Sequence, residues 1–160
     1  MLRRLTQTWR SYWHLDALER WVAFKAAAAL VATHVGLRLA GFRRWKGVLM
    51  RLMPDLPEIS AQTNSALPDS GRAIIRMEAA AARHLFFRTS CLEQSLVLWW
   101  MLRRQGIHAD LRIGANKQAG RFEAHAWVEF CGAVVNDPYG EHRNFVPFDG
   151  PIDSMETQTH

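Results

Sequence analysis

Ser90-Cys91-Leu92-Glu93, continued by "QSLVLWWMLRRQG" to Gly106, is the stretch that decides how this chain folds. Ser90 followed three residues later by Glu93 is the capping-box pattern, so a helix is expected to begin with Cys91 as its first residue and to run to about Gln105, stopped by Gly106. From Leu96 to Leu102 every residue is apolar, the mark of a helix enclosed on all sides. One of only two cysteines in the chain therefore stands at the tip of a central buried helix. Burial opposes ionisation of a thiol there, and so does the Glu93 charge, whereas the helix N-terminus favours an anion. A working nucleophile at Cys91 needs a further positive partner.

On the N-terminal side, "GRAIIRMEAAAARHLFF" reads as a helix over roughly 71–87, capped by Asp69 or Ser70. Before it, "PDLPEISAQTNSALPDSG" is a loop rich in Pro, Ser and Asp. Further back, Asp16 caps a long pattern that continues to Leu39, with Trp21, Phe24, Ala28, Val31, Val35 and Leu39 at helical spacing and Gly41 placed to stop it. A second helix, "FRRWKGVLMRLM", is expected to end before Pro54. On the C-terminal side the period changes to two. "ADLRIG" and "RFEAHAWVEF" read as strands, the second with Phe122, Ala124, Ala126, Val128 and Phe130 on one face and Glu123, His125, Trp127 and Glu129 on the other. Cys131-Gly132 marks a hairpin, "AVVND" returns until Pro138 halts it, and "NFVPFDG" offers one more short strand. Helices first and an antiparallel meander after them predict an α+β domain. The expected division is a helical extension and loop over 1–69, a core over 70–152 and a tail over 153–160, in one compact body.

The totals agree. The chain has 160 residues, 49% of them hydrophobic and 22% charged, an ordinary globular balance that excludes disordered and collagen-like readings. Two distant cysteines make no disulfide framework and suit a reducing compartment. The N-terminus lacks the uninterrupted apolar region of a signal peptide. The most apolar window, Ala26 to Thr33, is too short to span a bilayer, so a cytoplasmic location without a transmembrane segment is expected. Residues 1–53 carry a balance of +8 and residues 54–160 one of −3. A basic front half suits an acidic partner, nucleic acid or a membrane surface, although such faces are ordinarily only solvated. No nucleic-acid motif stands behind it, and nucleic acid is not expected as a partner.

Two hairpin registers are open, and they decide whether His125 can meet Asp137. A three-residue loop of Phe130, Cys131 and Gly132 pairs His125 with Asp137 on one face. A two-residue Cys131-Gly132 loop pairs Ala126 with Asp137 instead and turns the carboxylate to the other face. In the first, Asp137 can hold the imidazole, and His125 can take a proton from Cys91 and later return one to a leaving amine. His84, His108, Cys131 and His142 fall at no metal-ligand spacing, so neither a metal nor a cofactor is expected.

"SCLEQSLVLWWMLRRQGIHADLRIG" followed by "FEAHAWVEFCGAVVND" resembles the transglutaminase-like leader peptidases of lasso-peptide biosynthesis, the B proteins. The shared pattern is S-C-L at a helix start, R-R-x-G-I at its end, an L-R-I-G strand, A-H-A-W-V-E, and N-D on the strand that follows, over about residues 70–150. The resemblance implies a papain-like core in which a central cysteine-bearing helix packs on an antiparallel sheet. It implies Cys91 as nucleophile, His125 as general base and acid, and Asp137 as the residue that orients His125. It further implies a peptidase that cuts the leader from a ribosomally made precursor. The amine so freed is closed into a macrolactam by an asparagine-synthetase-like cyclase. Residues 1–69 lack the strands of a fused winged-helix recognition domain, so the chain is similar to the stand-alone protease form, with a separate leader-recognition protein as partner. Trp9, Trp13, Trp21 and Trp45 are candidate docking residues, with core packing as the ordinary role for most of them. A peptide-binding scaffold without catalysis and a transglutaminase-type acyl transferase are the alternatives. The second donor of an oxyanion hole is not legible.

Overall fold

A computed structural model of the chain describes residues 17–54, 66–118 and 121–148. Three helices come first: α1 (Ala17–Arg51), α2 (Asp69–His84) and α3 (Cys91–Arg104). The strands follow: β1 (Asp110–Gln118), β2 (Arg121–Phe130), β3 (Ala133–Val134) and, after a 3-10 turn over Glu141–Asn144, β4 (Val146–Pro147). The expected Asp16 cap, Trp9, Trp13, the loop over 55–65 and the tail beyond 148 lie outside the described residues.

Helix α3 is built as its sequence dictates. Ser90 Oγ accepts from the Glu93 N–H at 3.2 Å, and Glu93 Oε2 accepts from the Ser90 N–H at 2.6 Å. Leu96, Val97, Leu98, Trp99 and Leu102 are buried, with α1 and α2 on one side of the helix and the sheet on the other. Leu30 of α1, Leu111 of β1 and Val128 of β2 complete this core.

Helix α1 holds both helical stretches read from the sequence, joined at Gly41, whose backbone leaves the helical region (φ 76°, ψ 169°). Trp45, beyond the break, donates its Nε1–H to Thr33 Oγ1 at 3.2 Å and is a packing residue. The apolar series read from the sequence is helical, but it is not the face that is buried. Ala23, Ala26, Leu30 and Thr33 face the core, while Trp21, Phe24, Val31, Val35 and Leu39 face solvent. Both sectors are apolar, so periodicity alone cannot choose between them. The small side chains let α1 lie close against its neighbours, and the bulky ones are left outside. Helix α2 also starts earlier than expected. Pro68 is its cap residue without a side-chain bond, and Asp69 lies inside the first turn, paired with Arg72 at 2.8 Å.

The sheet is antiparallel throughout, in the order β3-β2-β1-β4. Strand β1 outlasts its expected end at Gly114 and pairs with β2 from Asp110↔Glu129 to Gln118↔Arg121. The hairpin takes the two-residue register: Phe130 pairs with Ala133 and Glu129 with Val134. Cys131 (φ 49°) and Gly132 (φ 76°) form its tip, and two consecutive positive φ values are the backbone of the tight turn that matches strand twist. The three-residue loop is therefore corrected, and strand pairing is not what brings Asp137 to His125.

Candidate active site

What brings them together is the way the chain leaves the sheet. The Val135 N–H still bonds to Val128 O at 2.9 Å, the last backbone rung of the β2–β3 ladder. In the return bond a side chain replaces the backbone: the Val128 N–H donates to Asn136 Oδ1 at 2.8 Å. Asn136 Nδ2 donates to Ser95 Oγ at 2.9 Å, and that hydroxyl donates to Ala126 O at 2.9 Å. One asparagine thus ties the departing chain to both α3 and β2. The segment rounds the edge of β2, and Phe145 stacks on His125 at 5.1 Å.

Asp137, the next residue, lands with Oδ2 at 3.8 Å from His125 Nε2. The same oxygen accepts from the His142 backbone N–H at 2.6 Å and from His142 Nδ1 at 2.8 Å. Two imidazoles therefore converge on one carboxylate oxygen, and the closer is His142, whose part in the site the sequence does not disclose. Burial pushes the Asp137 carboxyl up. The two His142 donors, the Glu141 backbone N–H and the nearby His125 outweigh it and hold the group below the usual carboxylate value. His125 is wedged between Trp127 and Phe145, and its Nε2, hidden from solvent, has no hydrogen-bond partner among the described residues. With Nε2 turned to Asp137, Nδ1 is the nitrogen left for a thiol.

Cys91, His125 and Asp137 all line one cleft of about 200 Å3, together with Gln94, Ser95, Asn136, Pro138 and Tyr139. The structure thus gathers the three residues singled out from the sequence. Cys91 is half-buried at the first position of α3, where the helix N-terminus presents backbone N–H groups. Gln94 Nε2 donates to Thr89 Oγ1 at 2.8 Å and, more weakly, to Thr89 O at 3.4 Å, so this amide is held against the residue before the helix cap. Behind the helix tip, His34 Nδ1 lies 2.8 Å from Glu93 Oε1, so the acid that closes the capping box is also fastened to α1.

No curated protein and no solved structure matches the chain. The sequence pattern that defines the transglutaminase-like superfamily matches residues 29–148, a span that takes in part of α1 and every element of the site. Members of that superfamily are as a rule cysteine-protease-like enzymes, with peptidase or acyl-transfer chemistry. The α+β order of helices and antiparallel sheet, with the cysteine at the head of the central helix, is the core expected of them. This chain belongs to the transglutaminase-like superfamily.

Proposed function

We propose that the protein is a cysteine peptidase that removes the leader from a ribosomally made lasso-peptide precursor. The observation that carries the chemistry is the shared cleft of Cys91, His125 and Asp137, with Asp137 Oδ2 3.8 Å from His125 Nε2. The substrate class rests on the sequence resemblance around Cys91 and His125. In this reading His125 Nδ1 takes the proton of Cys91, and the sulfur attacks the carbonyl at the leader–core junction. Asp137 stabilises the imidazolium, which then protonates the departing amine of the core peptide. Water, activated by the same imidazole, hydrolyses the thioester and releases the leader acid. The Cys91 backbone N–H is one donor for the oxyanion, and the Gln94 side-chain amide, which lines the same cleft, becomes the second by giving up its 3.4 Å bond to Thr89 O.

The test is mass spectrometry of a lasso precursor incubated with the protein and a winged-helix recognition partner, wild type against Cys91→Ala. Wild type is expected to yield free leader and free core, and the variant to lose at least about a thousandfold in rate. Equal release by both would remove Cys91 as nucleophile. Precursor captured but uncut by wild type would favour a scaffold. Leader joined to an added amine in place of water would favour an acyl transferase.

A further inference from the structure

Helix α1 has two apolar faces, and only one of them is used. Ala23, Ala26 and Leu30 are enclosed by the domain, while Trp21 is 53% exposed, Phe24 64% and Leu39 82%. The outer series runs from Leu18 to Leu39, about 32 Å at the ordinary helical rise. A helix apolar on all sides is ordinarily covered on all sides, and an outer stripe of this length marks an interaction surface. By length and composition α1 could cross a bilayer, beyond what the short window Ala26 to Thr33 suggests. Its packed inner face rules out crossing in this fold, so the choice is what covers the outer face.

The charges narrow that choice. Arg20 and Arg38 stand exposed on the same side of the helix as the outer series, and so does Lys25, which lies 5.0 Å from the centre of the Trp21 ring. The single carboxylate of α1, Glu19, is paired with Arg76 of α2 at 3.2 Å. A second copy of the chain would set cations against cations. Residues 1–16 bring Arg3, Arg4 and Arg10 against one acid, so they too are like-charged with this rim. The cover must be anionic. A protein partner would ordinarily add about one hydrogen bond per 100–200 Å2, but among the described residues this face of α1 offers only the three cations as polar side chains, and the groove beside Phe24 and Lys25 adds just Arg104, a further cation, and Gln105 at the end of α3. A bilayer interface asks only for bulky apolar groups, with cations beside them to reach phosphates.

We propose that α1 lies along the surface of an anionic lipid bilayer. Trp21, Phe24, Val31, Val35 and Leu39 enter the acyl boundary, and Arg20, Lys25 and Arg38 meet the headgroups. The proposal is independent of the peptidase reading.

The test is co-sedimentation of the full chain with phosphatidylcholine vesicles, with and without added phosphatidylglycerol. Wild type is compared with Phe24→Asp/Val35→Asp, both exposed positions, and an unchanged thermal melt certifies that the variant folds. Expected are binding at least about tenfold tighter to the anionic vesicles, weakening in high salt, and at least about a tenfold loss in the variant. Failure of wild type to bind anionic vesicles overturns the proposal, as does binding that the variant leaves unchanged. A wild-type dimer that the same variant dissociates would assign the face to a second copy instead. If the variant weakens binding to an acidic protein while vesicles are ignored, the face is a protein interface and the proposal fails.

Discussion

At the scale of single residues, the site turns on the one carboxylate oxygen shared by His125 and His142. Removing the His142 imidazole while keeping its backbone N–H should leave Asp137 in place but less firmly aimed and with its carboxyl raised. His142→Ala is therefore expected to lower kcat/KM for leader release roughly tenfold. Asp137 must be ionised to stabilise imidazolium, so the acid limb of the pH profile should also move to higher pH. His142→Asn, which restores a donor, should recover part of both effects. A pH series of release rates checks this, and an unshifted acid limb would count against it. Cys91 and His125 were legible because each sits in a regular element with a recognisable local pattern. His142 was not, because its contact to Asp137 depends on the path of a loop, which no period in the sequence encodes.

At the scale of elements, the start of α3 was readable to the residue, and its end to within one, since a capping box and an unbroken apolar run leave one solution. The hairpin was not, because Cys131-Gly132 fits either loop length until the backbone at Cys131 is known. The outward orientation of α1 escaped for another reason: Ala, Val and Leu on both sectors satisfy helical spacing equally. The joint between elements is the Asn136 side chain, which stands in for a missing rung. Asn136→Ala leaves the Val128 N–H without its partner at the part-buried margin of the sheet and should destabilise by about 1–3 kcal/mol. It should also lower the release rate more than that loss explains, because Asp137 is no longer held near His125. Chemical denaturation and turnover measured on the same sample test the pair. Full activity in the variant would show that something other than this tether places Asp137.

At the scale of the whole molecule, pH acts on the core through α2. Glu78 is buried there, its Oε1 has no hydrogen-bond partner among the described residues, and burial pushes its carboxyl up to about 8 against a modest opposing pull from Arg83. A carboxyl raised in the folded state binds its proton more tightly there than in the unfolded chain. Its favourable contribution is full below the ordinary value of 4.5 and is lost as pH climbs to about 8. Thermal unfolding should therefore show a weaker fold at alkaline than at mildly acidic pH. Glu78→Gln should remove most of the difference, roughly 3 kcal/mol. An equal fall with pH in the variant would place the effect on another group.

The Ser95–Asn136–Val128 tether is made of short neutral hydrogen bonds, indifferent to protons and to salt, whereas the Asp137 carboxylate it positions carries charge. The frame of the site and its ionisation are in this way separable quantities. Acidifying the solution can silence the imidazole–carboxylate pair while its scaffold stands, and the pair should recover at once when the pH is restored.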